Sequence, residues 1–344
     1  MSGSQGLPEG CLVRVTKDSK KLWKNFRPKM QSSNKRLLLD MIDKEGEKPQ
    51  GDLIFERWSI IQPSSLSLDP ERLKGLIVEE TLDIYRYQQT DTEDYYVNFA
   101  DASLFGFYGG PLFAQDEHQV AEHPILGSLR RWLDLEAASE TKNKEAIPWT
   151  KIGDNATPCL IFNAQRSLVI ETQADPTKGR QSIYGNSFSY ASPATIRAAT
   201  TVITKETAEL NGLRSHNNFI AIEAPKHGHG TYDRSEIEYI FFTAFSGFEA
   251  ARLHSGDKTV IHTGNWGCGA FGGNGSIMAM LQIAAAAMSG VKKIVYHTFD
   301  QKHTRLFREG QKKLQDLWNS RRDLHALLAA IQEEEYQWGV GNGT

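Results

Sequence analysis

The sequence predicts an α/β layered domain, and three observations carry that expectation. Short apolar runs alternate with longer segments of helical period, a glycine-rich loop joins one such run to a long apolar segment, and the composition, 40% hydrophobic and 24% charged, is that of a globular chain. Apolar runs without polar alternation suit strands covered by helices on both faces. A layered arrangement of helices and sheet follows.

Taken in order, the elements begin with a basic segment. Between residues 14 and 36 there are nine Lys or Arg against one acid, Asp18, with Trp23 and Phe26 interleaved. Residues 1–50 are therefore set apart as a basic N-terminal extension, either a solvated arm or a contact for a polyanionic substrate. Residues 51–344 form the main domain. Asp69-Pro70 reads as an N-cap and first-turn proline opening a helix to about residue 80. Strands are expected at 95–99, 159–162, 168–171, 219–223, 259–263 and 293–298. The segment 277–288, interrupted by Gln282 and shorter than the roughly 20 residues a bilayer needs, is a buried core helix. From 303 to 338 the pattern is helical: Leu306, Leu314, Leu317 and Trp318 share one face, and Leu324, Leu327, Leu328 and Ile331 another.

Composition also excludes several classes. A formal net charge of −3 gives no global case for direct nucleic-acid or membrane binding. Cys11, Cys159 and Cys268 are odd in number and widely spaced, which argues against a disulfide framework or zinc site. The first residues lack the basic and apolar regions of a secretory signal, so a reducing compartment is expected, the cytoplasm or alternatively the nucleus. No metal and no cofactor is expected. His118 and Glu122 lie four apart, but His118-x-x-x-Glu122-His123 is one residue too long for H-x-x-E-H, and Pro124 follows at once. His227-Gly-His229-Gly reads as a solvated loop.

The loop Gly264-Asn265-Trp266-Gly267-Cys268-Gly269-Ala270-Phe271-Gly272-Gly273-Asn274-Gly275 places six glycines in twelve residues between a strand and a helix. Glycine permits positive φ and lets backbone N–H groups approach phosphate oxygens, while the following helix adds its positive end. Trp266 is open to two readings, ligand contact or core packing. Gly267-x-Gly269-x-x-Gly272 also satisfies the dinucleotide fingerprint, which makes a NAD-dependent Rossmann enzyme a rival. That fingerprint normally opens a series of βαβ units, whereas here one strand follows.

Upstream, Tyr95-Tyr96-Val97-Asn98-Phe99 runs into Ala100-Asp101, a loop with Gly106, Gly109 and Gly110, and then Gln115-Asp116-Glu117-His118. Carboxylates after a strand and loop, in the first turn of a helix, are placed for chemistry at a cleft, or are simply acids at a helix N-terminus.

The stretch IHTGNWGCGAFGGNGSIMAMLQIAAAAMSGVKKIVYHTF, residues 261–299, resembles the diphosphate-loop region of the poly(ADP-ribose) glycohydrolases. VNFAD and GGPLFAQDE resemble that family's VDFAN and its glycine-rich signature ending in QEE. The resemblance implies a macrodomain-like α/β/α sandwich with a mixed central sheet and additional N- and C-terminal helices. It implies as partner ADP-ribose, or ADP-ribosylated protein, polymer or nucleic acid. It places Glu117 on the catalytic glutamate, Asp116 on its acidic neighbour and Gln115 on the glutamine. As ligand contacts it implies Asn98, Asp101, Gly109, Gly110, Asn265, Gly267, Gly269, Ala270, Gly272 and Gly273, with Phe271 beside the distal ribose and Phe299 on the adenine. Tyr184, Phe188 and Tyr190 are candidates for a second aromatic wall. Three departures stand out. Gly109-Gly110 replaces a triple glycine with a shortened loop before Gln115, Asp101 replaces an asparagine, and Asp116 replaces a glutamate. The activity implied is hydrolysis of an O-linked ADP-ribosyl bond. A non-catalytic ADP-ribose reader is the alternative.

Overall fold

The computed structural model describes residues 7–139, 146–226 and 228–343. Its central sheet has eight strands: β1 Cys11–Asp18, β2 Asp52–Trp58, β3 Ile77–Thr81, β4 Glu93–Ala100, β5 Cys159–Gln165, β6 His216–Glu223, β7 Thr259–Gly264 and β8 Lys293–His297. Their order is β1-β2-β5-β6-β4-β7-β8-β3. The β1-β2-β5-β6 side is antiparallel, and every pair from β6 through β4, β7 and β8 to β3 is parallel. The sheet is mixed, as expected.

Alternation along the strands creates two cores. Tyr95, Val97, Ile220 and Ile222 face one, while Tyr96, Phe219 and Ala221 face the other. The first core is covered by α6 Arg234–Ser255, α7 Gly275–Ser289, α8 Gln301–Ser320 and α9 Leu324–Glu333. The second is covered by α1 Ser19–Asn25, α2 Ser33–Glu45, α4 Gln115–Glu122 and α5 Ile125–Ala138. This is an α/β/α sandwich of macrodomain-like form. Gln282, the polar break in α7, is buried and donates to the carbonyls of Met278 and of Gly264 at the end of β7. No helix among the described residues is long and apolar enough to cross a membrane.

The early chain differs from expectation. Residues 7–50, the described part of the basic segment, are built into the sheet and its cover: β1 is the outer antiparallel strand, and Leu22, Trp23, Leu38, Leu39 and Ile42 fill the second core. Val13 and Val15 alternate with Arg14 and Thr16, and the density of Lys and Arg hides that period of two. The helix expected to residue 80 is α3, Pro70–Gly75, after which β3 pairs with β8. Being an edge strand, β3 leaves Ile77 exposed, and its Glu79-Glu80 prolongs the helical appearance. The C-terminal helical run breaks where Asp323 caps α9, and Trp338 lies beyond that helix.

Candidate active site

A cleft of about 540 Å³ opens where the parallel strands β4, β7 and β8 end. It sits at the carboxyl edge of the sheet, where α/β folds place ligands. One wall is α4 with the end of β4, the second the glycine loop after β7, and the third the segment His297 to His303 after β8.

The acid wall is set by hydrogen bonds between α4 and β4. The Gln115 amide lies along β4, its Oε1 accepting from Phe99 N at 2.9 Å and its Nε2 donating to Val97 O at 3.1 Å. This side chain therefore staples the helix start to the strand, although it also borders the cleft. Asn98 is fully buried behind it, donating Nδ2 to Asp116 Oδ1 at 2.9 Å and to Gln119 Oε1 at 2.8 Å, and does not line the cleft. Glu117 occupies the third position of α4, where its Oε2 accepts from Ala114 N at 3.0 Å, one half of a capping box. Asp116 and Glu117 both line the cleft and are 7% and 4% exposed.

That burial governs their protonation. Desolvation, reinforced by the charge of Glu117, pushes the Asp116 carboxyl up to about 7 against the opposing Asn98 hydrogen bond and the ammonium of Lys35. Burial raises Glu117 as well, with Lys35 and the backbone hydrogen bonds opposing. Burial in a low dielectric thus holds both carboxyls above the usual carboxylate range.

On the facing wall, the loop curls through Cys268 N to Asn265 O, Gly272 N to Gly269 O and Gly273 N to Gly267 O. Gly267 has φ 74°, and a Cβ there would lie 2.7 Å from the Ala224 methyl. The Gly269 and Ala270 amides have no acceptor among the described residues, and both residues line the cleft. Such free amides form an anion cradle. Asn265 also lines it, donating Nδ2 to Thr298 O and so joining the ends of β7 and β8. Trp266 is fully buried, its Nε1 donating to Ile222 O, and it also borders the cleft, so packing and contact with the site meet in one side chain.

Because φ is positive at Gly267, we expect Gly267→Val to destabilise the fold by about 1–3 kcal/mol. Denaturant unfolding checks this. A midpoint equal to the parent's would mean that the loop does not hold the strained conformation.

Not every expected glycine reaches the cleft. Gly272 and Gly273 do not line it. Gly273 braces Gly267, and the Gly272 carbonyl accepts from Gly339 N at 2.8 Å, where the C-terminal tail crosses the loop. Gly109 and Gly110 are farther removed. Gly109 O accepts from Gln31 N and Ser32 N, and a Cβ on Gly109 would lie 2.5 Å from Lys29 O. Both glycines border a separate cavity with Lys29, Gln31 and Arg131. At Gly109, close packing against the N-terminal segment is what glycine permits.

At the far end Phe299, held at φ 68°, meets Tyr184 with ring centroids 5.1 Å apart. Of the three aromatic candidates only Tyr184 lines the cleft: Phe188 is buried, stacked on Phe113, and Tyr190 is 89% exposed. Phe271 lines the wall near the acids under the Lys226 ammonium, which also pairs with Asp101. Neither Lys226 nor Lys35 stands out in the sequence. Asn342 lines the cleft too, brought there by the tail and carrying no motif.

The polar residues after the acids are occupied with each other. Glu122 accepts from Arg166 Nη2 at 3.0 and 2.9 Å and from Ile170 N at 2.7 Å, and it contacts His118 at 3.4 Å. Among the described residues there is no cluster of metal-ligating side chains. His227, of the histidine-glycine pair, lies outside them.

Residues 167–306 match the family model for poly(ADP-ribose) glycohydrolase (PARG), macro domain fold. This is less than half of the chain; it holds the glycine loop and Phe299 but not Asp116 or Glu117. Among solved structures, the chain is similar to poly(ADP-ribose) glycohydrolase from Thermomonospora curvata, at 13% identity over 85% of this chain and 88% of that one, with a TM-score of 0.44. It is similar to the Deinococcus radiodurans poly(ADP-ribose) glycohydrolase in complex with ADP-ribose, at 16% identity over 76% and 95%, TM-score 0.40. An Oceanobacillus iheyensis macrodomain with MES bound is similar at 13% identity over 66% and 87%, TM-score 0.36.

Proposed function

We propose that this protein binds ADP-ribose in the cleft and hydrolyses an O-linked ADP-ribosyl bond. The observation that carries the reading is one cleft with a buried acid pair on one wall and, on another, the Gly269 and Ala270 amides that lack an acceptor among the described residues. The diphosphate rests on the glycine loop, the adenine takes the end with Phe299 and Tyr184, and the distal ribose lies near Phe271 and Glu117. Aromatic stacking wants about 3.5–4 Å between faces, so a base entering between Phe299 and Tyr184 parts the two rings.

Glu117 protonates the departing oxygen as its bond to the anomeric carbon breaks, then takes a proton from the water that attacks that carbon. Help of this kind is worth roughly 10²–10⁴-fold. Adjacent helix residues project about 100° apart, so Asp116 does not complete a flanking pair of carboxylates. It sits against Asn98 and repels the ionised form of its neighbour. Anchoring the diphosphate supplies binding energy remote from the bond being cleaved.

The acceptor can be protein, polymer or nucleic acid, and residence in the cytoplasm or nucleus belongs to the same proposal. A second reading, a binding module without catalysis, draws on the packed Gly109-Gly110 loop and the pairing of Asp101 with Lys226. Incubation with ADP-ribosylated protein, polymer and nucleic acid separates the two. Released ADP-ribose supports hydrolysis, and binding without release across the panel supports the module. In calorimetry ADP-ribose should bind more tightly than NAD, and Gly267→Val should weaken it by at least about tenfold, or 1.4 kcal/mol. Tighter NAD binding would return the loop to the dinucleotide reading.

A further inference from the structure

The acid pair has a partner from a distant part of the chain. Lys35, on α2, is fully buried, an environment that an ammonium tolerates only with partners. Its Nζ donates to Tyr108 O at 2.8 Å and to Leu112 O at 2.7 Å, joining the two ends of the loop that leads into α4. The same stretch of chain grips that loop elsewhere: Gln31 N and Ser32 N donate to Gly109 O, and Lys29 N donates to the Tyr108 hydroxyl. The loop is therefore clamped by residues 29–35, and the Lys35 ammonium, held on that loop three residues before Gln115, acts on the charge of both Asp116 and Glu117.

We propose that Lys35 is a positioning residue for the acid pair: its buried ammonium fixes the loop that delivers Asp116 and Glu117 and offsets their negative charge. The role rests on the hydrolase reading for its consequence in turnover, but not for its electrostatic content. The groups around the carboxyls come from several elements. Asn98 of β4 bonds Asp116, and Asp101 beyond β4 repels both acids. Tyr184 lies near Glu117, and the Ala114 amide bonds it. Lys35 is the cation in that set: burial pulls its ammonium down to about 8, and Glu117 and then Asp116 oppose that shift and favour the charged form. His118 points its Nε2 to Ile170 O and to Glu122, whose charge is met by Arg166. Nearby positive charge favours a carboxylate, so removing it makes both acids harder to ionise.

The test compares the full-length parent with Lys35→Met and Lys35→Gln. Glutamine retains two N–H donors without the charge, which separates tethering from electrostatics and provides a second variant if methionine at this buried site prevents folding. Carboxyl groups are labelled with ¹³C in Asp and Glu and titrated by NMR, with residues 116 and 117 assigned through Asp116→Asn and Glu117→Gln. The expected result is that the midpoints of the pair rise in either folded variant by about half a unit or more. The pH profile of kcat should move in the same direction while KM changes less than kcat. Midpoints unchanged from the parent in a folded variant would overturn the proposal and leave Lys35 a tether only. If the parent cleaves nothing, the hydrolase reading falls, and the titration still decides the role of Lys35.

Discussion

Glu117→Gln is expected to keep ADP-ribose affinity and lose at least about a hundredfold in hydrolysis, equivalent to about 2.7 kcal/mol of transition-state stabilisation. The amide has the shape of the carboxyl and an oxygen that still accepts from Ala114 N, so the start of α4 persists. What disappears is a group able to give up and take back a proton near neutral pH. Asp116→Asn should cost less in rate, because Asp116 serves through its contact with Asn98 and its charge. It should also lower the pH at which Glu117 ionises, since a repelling neighbour has gone. Single-turnover hydrolysis with both variants, alongside calorimetry, checks this. Parent-like rates in both would remove the acid mechanism.

The largest effect on stability is expected at the buried pair behind the cleft. Arg166 and Glu122 are each 2% exposed and bonded through both carboxylate oxygens, and the guanidinium lies over the Tyr87 ring. Arg166→Met leaves a buried carboxylate without its partner, at a cost of about 3–5 kcal/mol, measurable by urea unfolding. Burial alone would push the Glu122 carboxyl up, but Arg166 and then His118 prevail and hold it at about 2. Its folded value thus lies below the unfolded one of about 4.3. The contribution is complete above that unfolded value and is lost as pH falls toward 2. In Arg166→Met the sign reverses, the carboxyl rising when buried, so the variant should recover stability relative to the parent as the solution becomes acid. A constant difference between parent and variant across that range would count against the pair.

How legible these features were in the sequence follows from what each residue had to signal. Central strands such as Cys159–Gln165 and His216–Glu223 announced themselves through unbroken apolar runs, because helices cover both faces of the sheet there. The outer strands did not, since β1 carries its basic residues toward solvent and β3 is rich in Glu. Within the cleft, Gly267 is apparent from the glycine spacing, whereas the acids of α4 are singled out only by the resemblance of GGPLFAQDE to a family signature, since local spacing reads them equally as acids at a helix start. Gly109 and Gly110 have the same local appearance as a ligand loop, but Gly109 packs on Lys29 and Gln31, which no local pattern reveals. Lys35 was hidden for a related reason. A lysine among eight other basic residues reads as solvated, and only the convergence of two distant carbonyls makes it a buried cation.

The strand order also bears on how the molecule is made. β2 at residues 52–58 pairs with β5 at 159–165, and β3 at 77–81 is completed by β8 at 293–297. Each closure brings together segments separated by a long stretch of chain, and such contacts yield stability only after the entropy of loop closure has been met. The walls of the cleft, drawn from Asp83 at one extreme to Asn342 at the other, lie across these long-range closures. The acid pair and the glycine loop come face to face only when β4 and β7 are registered side by side, so the cleft exists only where pairings of long sequence separation are complete.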